Sequence, residues 1–118
     1  MGILRAGALN RRVMLLRPGP PIGDGNGTRL GPLEEAGQRS VSVRLARGSE
    51  TNEALQRDGK VRLSFWLRLD SLTTQMDASW ALEHEGRRYQ LVAAPVEIGN
   101  REGVELIAEA REGVDDRL

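Results

Sequence analysis

The sequence predicts a mainly β domain, a small β-barrel or sandwich of five to six antiparallel strands, with one short helix and a long Gly/Pro-rich loop after the first strand. Three observations carry that prediction. Apolar residues recur at every second position in several short runs, chain breakers gather in one block, and a single segment has the start and stop residues of a helix. At 118 residues the chain is read as one domain, residues 1–118, because a fold of this length closes one core and not two.

The elements follow in chain order. Arg5, Arg11, Arg12 and Arg17 stand without an acid in the first 17 residues, where Val13-Met14-Leu15-Leu16 mark a first strand over Arg11 to Arg17 behind a short basic arm. That arm is read either as frayed or as docked on a neighbouring subunit. Between Pro18 and Gly37 lie six of the 14 glycines and four of the five prolines, a density that argues against helix and central strand. The block is read as a long flexible loop whose free span is about 25 Å, either a surface loop or a segment that acts away from its own core.

Val41, Val43 and Leu45 alternate with Ser40, Ser42 and Arg44, which predicts a half-buried strand from Arg39 to Ala46. Ser49 as N-cap, early acids and Gly59 as a stop predict a helix of two to three turns. In Lys60 to Asp70 the residues Val61, Leu63, Phe65, Leu67 and Leu69 form the core face, while Arg62, Ser64, Trp66, Arg68 and Asp70 form the outer one. An exposed Trp66 between Arg62 and Arg68 has the composition of an interface centre, or of a patch packed under the long loop. After a polar connection, Ala78 to Glu83 reads as a short strand with Trp80 and Leu82. His84-Glu85-Gly86-Arg87 then reads as a turn with a solvated histidine, and Tyr89, Leu91 and Ala93 as the returning strand. A connection holding Pro95, Gly99 and Gly103 leads to a last strand, Val104 to Arg111, and residues 112–118 read as a frayed tail.

Composition narrows the functional classes. No cysteine is present and His84 is the single histidine, so disulfides, thiolate metal sites and histidine clusters are excluded, and no cofactor is expected. The 17 basic residues balance the 17 acidic ones. A dedicated nucleic-acid binder needs a clustered cationic excess instead. All but Lys60 of the basic residues are arginine, whose planar guanidinium suits interfaces. No apolar run approaches the ~18 residues of a membrane span. The N-terminus lacks the apolar stretch of a signal peptide, which predicts a cytosol-like site of synthesis. Glu83 and Glu85, the Asp24-Gly25-Asn26-Gly27 stretch and the alternating glycines fall short of an acid–base pair, a calcium loop and a dinucleotide fingerprint respectively, so an enzyme is not expected.

The order of motifs resembles the head-closure, or head-tail joining, stopper proteins of tailed bacteriophages and the related gene transfer agents. Gly7-Ala8-Leu9-Asn10-Arg11-Arg12-Val13 is similar to that family's opening strand, and Arg17-Pro18 followed by Gly23-Asp24-Gly25 to its Gly/Asp-rich insertion. Gly48-Ser49-Glu50 to Ala54, Leu63-Ser64-Phe65-Trp66-Leu67-Arg68, Gly86-Arg87-Arg88-Tyr89-Gln90-Leu91 and Leu106-Ile107-Ala108-Glu109-Ala110 continue the pattern. Ser42 stands near the place of a usual Trp, and Leu67 in place of an Ile.

The resemblance implies a structural part of the virion neck, assembled in the bacterial cytoplasm. It implies a ring of six or twelve copies beneath the portal-bound adaptor protein that closes the DNA-filled head and offers the attachment surface for a tail terminator or tail tube protein. The insertion then enters the ring lumen, with Pro20, Pro21, Ile22, Gly23, Asp24, Gly25, Asn26 and Gly27 as the channel loop. Packaged double-stranded DNA passes that loop without tight binding, as its slightly acidic balance suggests. Arg11, Arg12, Arg62, Trp66 and Arg68 are the expected subunit or partner contacts, with no membrane involved. The alternatives are a tail-side connector or terminator ring, and a small β-barrel module that binds a ligand or peptide near Trp66 or Trp80.

Overall fold

A computed structural model describes residues 6–23, 25, 27–45 and 60–111. The short helix expected over residues 49–59, the tail 112–118, Asp24 and Asn26 lie outside the described residues. Among the described residues there are nine strands: β1 (Arg11–Pro18), β2 (Ile22–Gly23), β3 (Thr28–Arg29), β4 (Leu33–Leu45), β5 (Lys60–Arg68), β6 (Ala81–His84), β7 (Arg87–Leu91), β8 (Val96–Ile98) and β9 (Gly103–Arg111). Seven form one antiparallel sheet in the order β5-β4-β1-β6-β7-β9-β8, and β5 also pairs with β9 along its whole length. The circuit of pairings therefore returns to its start, with β8 attached to the remaining edge of β9. The mainly β, antiparallel prediction holds, with more strands than the five to six expected.

The alternating runs define the core. Val13, Leu15, Val41, Phe65, Leu67, Leu82, Leu91, Val104 and Leu106 pack together with Trp80 and Tyr89 in one buried cluster. Leu16 is buried as well as Leu15 but lies outside that cluster, and the β1–β4 register shifts between the two. Leu15 lies opposite Gly37 and Leu16 opposite Glu35, which leaves Ala36 as an extra residue on β4. Such a bulge leaves its extra residue unpaired and adds local twist to the ladder.

That bulge corrects the expected loop of residues 18–37. Its last five residues, Leu33 to Gly37, belong to β4, and all but the bulged Ala36 pair with β1. The breakers were real but sit where a strand accepts them. Pro18 ends β1, Pro32 precedes β4, and Gly37 lies beside the bulge.

Three smaller corrections follow. The strand expected from Ala78 begins at Ala81, since Asp77 accepts the Ser79 amide at 2.9 Å and closes a turn before it. The connection from Ala93 to Gly103 contains β8, too short for a period to register. His84 is not a solvated turn residue. It ends β6 at 7% exposure, and its ring stands edge-on to Phe65 with centroids 5.7 Å apart. The turn itself is Glu85-Gly86, with φ of 52° and 79°. Two successive positive φ values match the right-handed twist of a two-residue hairpin, and glycine adopts one without strain.

Candidate interaction surfaces

The segment between β1 and β4 is an arm built as a ribbon. At its base the Gly19 amide donates to the Pro32 carbonyl at 2.8 Å, prolonging the ladder that ends with Pro18 opposite Leu33. Further out Ile22 pairs with Arg29 and Gly23 with Thr28, and these strands pair only with each other. The two legs of the ribbon nearly touch at Gly31, where a Cβ would clash with the Pro20 carbonyl oxygen. Glycine is required by that approach rather than by a special φ.

Ile22 and Leu30 are 40% and 63% exposed on this arm, and Pro20, Pro21 and Pro32 are exposed as well. An open groove runs along Ile22, Arg29, Leu30, Gly31 and Pro32. Of the expected channel loop, Pro20 and Pro21 lie at the base and Ile22, Gly23, Gly25 and Gly27 lie farther out, all exposed. Leu30 and Gly31 lie just beyond the channel-loop residues expected from the sequence.

The second surface is the outer face of β4, β5 and β9. Ser42 lies opposite Trp66, and Trp66 opposite Glu105, so the three side chains form one row across the sheet. The Trp66 indole donates to Glu105 Oε2 at 3.1 Å, and the buried Ser64 hydroxyl donates to the same oxygen at 2.7 Å. The Arg44 guanidinium lies 3.9 Å from the Trp66 ring centroid and donates to the Ser42 hydroxyl at 3.2 Å. Stacking of this kind is a favourable cation–π contact. Trp66 is therefore half-buried, not the exposed residue expected. Its cover comes from its own sheet neighbours rather than from the long loop.

Of the expected contact residues, Arg12, Arg62, Trp66 and Arg68 share this face. Arg12 stands opposite Ser40, two residues from Ser42 on the same side of β4. Arg62 pairs with Glu109 of β9 at 3.0 Å. Arg11 is not among them. It lies opposite the buried Val41 and reaches Glu85 at 3.6 Å, on the alternate side of β1. Arg44 and Glu105 are the residues that sequence reasoning missed. Alternation places both outward, but only the β4–β5–β9 register shows that Trp66 lies between them.

Beside this face, Asp70 anchors the connection after β5. Burial acts to raise its carboxyl pKa, but the amides of Thr73 and Leu72 and the Arg39 side chain outweigh it and hold the group below the ordinary 3.8. Both amide bonds measure 2.9 Å, and Arg39 Nε donates to the other carboxylate oxygen at 2.8 Å. Asp77 is likewise lowered, by the hydroxyl and amide of Ser79. Among the described residues no group of His, Asp and Glu is arranged to hold a metal ion, and no helix is long and apolar enough to cross a membrane.

Comparison with known proteins adds two findings. The sequence model of the family described as phage head completion protein matches residues 4–111. The solution structure of protein SF1141 from Shigella flexneri 2a superposes with a TM-score of 0.63 at 17% sequence identity, covering 96% of this chain and 100% of that one. The likeness is one of fold. No curated protein matches the chain.

Proposed function

The chain belongs to the phage head completion protein family, and from that premise we propose that it closes the DNA-filled head as a ring beneath the portal-bound adaptor, with the arm at residues 19–32 gating the channel. Its role is structural, in head closure. The observation that carries the gating role is the form of the arm. It projects as a paired ribbon whose outer strands make no ladder with the main sheet, and it bears exposed Ile22 and Leu30. A paired ribbon has a defined reach, whereas an unpaired chain of the same length would not.

The chemistry of the arm suits a conduit. Arg29 is its one cation. Sliding DNA then meets few groups that would neutralise phosphate and brake its passage. The outer face with Arg12, Trp66 and Arg68 is the contact to a neighbouring protein, in a ring of six or twelve copies whose lower side receives the tail.

Deletion of Ile22 to Arg29 tests the gate. Those residues contribute no side chain to the buried cluster, so the domain keeps its core. Heads completed with the shortened chain are expected to leak DNA while still carrying the protein. Heads that retain DNA and join tails normally would overturn the gating role.

A further inference from the structure

We infer that the Arg44–Trp66–Arg68 face seats the acidic start of β4, Glu34 and Glu35, of a second copy of this chain. The inference rests on the proposed ring and identifies which surfaces meet within it.

The cationic side is organised before any partner arrives. Glu105 fixes the Trp66 indole and Arg44 lies over its ring, so little side-chain freedom remains to be lost on docking. Arg12, Arg44 and Arg68 are exposed, and none has a carboxylate partner among the described residues. Glu105 and Glu109 are already engaged by Trp66, Ser64 and Arg62. Among the described residues no carboxylate on the face is left for those arginines. Arginine and tryptophan at the centre of a patch are the residues that dominate protein interfaces.

The matching acid lies on the same molecule. Since 17 basic residues balance 17 acidic ones, a face with spare cations leaves spare carboxylates elsewhere. Glu34 and Glu35 are exposed at the other end of β4 and form no ion pair among the described residues. Arg17 stands opposite Glu34 but is held over the Trp80 ring, 5.6 Å from its centroid. From Glu35 to Arg44 the strand runs about 30 Å. Two different patches set that far apart cannot meet within one copy; between copies they meet either reciprocally, in a two-fold pair, or head to tail, and the proposed ring requires the second. Opposite potentials on the two patches also fix which way round neighbours dock.

The test uses two charge variants, R44E/R68E and E34R/E35R, in particles that lack the native protein. Each variant alone opposes like charges at every contact and is expected to leave heads unfinished. Expressed together they restore an alternating ring, which closes at six or twelve copies because both are even. Completion by either variant alone, or failure of the pair when both show the native circular dichroism, overturns the inference. Failure of the native chain itself to complete heads refutes the proposed function separately.

A second measurement covers the case in which a charge variant does not fold. The chain has no cysteine of its own, so E35C and R68C copies mixed as concentrated purified protein report only the designed contact. A disulfide between unlike copies is expected under mild oxidation. Its absence overturns the contact.

Discussion

Trp66 and Glu105 stand directly opposite each other across the β5–β9 ladder, and the indole N–H donates to the carboxylate at 3.1 Å. Ser64, which is 2% exposed, uses the same oxygen. Glu105→Ala therefore strands two donors, one of them inside the sheet, and is expected to cost about 2 kcal/mol. Glu105→Gln keeps a carbonyl acceptor and costs less. Urea denaturation of the two variants checks the order, and an alanine variant as stable as the native chain would contradict it.

Asp70 predicts an acid sensitivity with a definite sign. Its carboxyl is held below 3.8 in the folded protein by the Thr73 and Leu72 amides and by Arg39, against the opposing effect of burial. A lowered folded pKa means that the ionised carboxylate stabilises the fold above its unfolded value, near pH 4, and that this contribution fades as pH falls through the folded value. Asp70→Asn is expected to be less stable than the native chain at neutral pH, with the gap narrowing below about pH 4. Urea midpoints measured across that range test it, and a gap independent of pH would contradict the assignment.

These two sites show what alternation can and cannot reveal. The period-two run in β5 placed Phe65 and Leu67 in the core, where both are fully buried, because successive side chains of a strand point to opposite faces. Register is not legible in that way. Arg44 and Glu105 both read as outward-facing residues, but that they flank Trp66 depends on pairings between strands far apart in the chain. The Gly/Pro block misled in its second half for a related reason. A bulge at Ala36 and a ladder to β1 keep Leu33 to Gly37 in a strand that propensity alone would refuse. Asp70 was legible as an outward residue of the strand run, but its acceptance of the Leu72 and Thr73 amides was not, since that depends on how the chain folds back.

His84 occupies the place of an apolar residue. It is buried, its ring meets Phe65 at 5.7 Å and Tyr89 at 6.3 Å, and its buried Nδ1 has no hydrogen-bond partner. His84→Ala opens a cavity against both aromatics and is expected to cost about 2–4 kcal/mol. His84→Phe fills the site with a somewhat larger ring and removes the stranded nitrogen, so its stability should exceed that of the alanine variant. Thermal unfolding of the three proteins decides the matter. A phenylalanine variant no better than alanine would mean that the imidazole is held by its polar contacts and not by its shape.

Gly31 separates the arm from the domain as an object of experiment. A methyl group there clashes with the Pro20 carbonyl oxygen and comes within 2.9 Å of the Gly19 carbonyl carbon and oxygen, all of them backbone atoms that do not swing aside. Gly31→Ala must therefore spread the base of the ribbon, and the bond from the Gly19 amide to the Pro32 carbonyl is expected to open. Gly23→Ala, with nothing within 4 Å of the added atom, is the matched control and should change nothing. Amide hydrogen exchange resolves the two. Rapid exchange at Gly19 alongside unaltered protection of Leu15, Leu82 and Phe65 is the expected pattern for Gly31→Ala, because the arm's outer strands share no ladder with the core. Loss of protection throughout the sheet would show instead that the base of the arm is part of the domain's own cooperative unit, and that a gate there cannot move without unfolding what carries it.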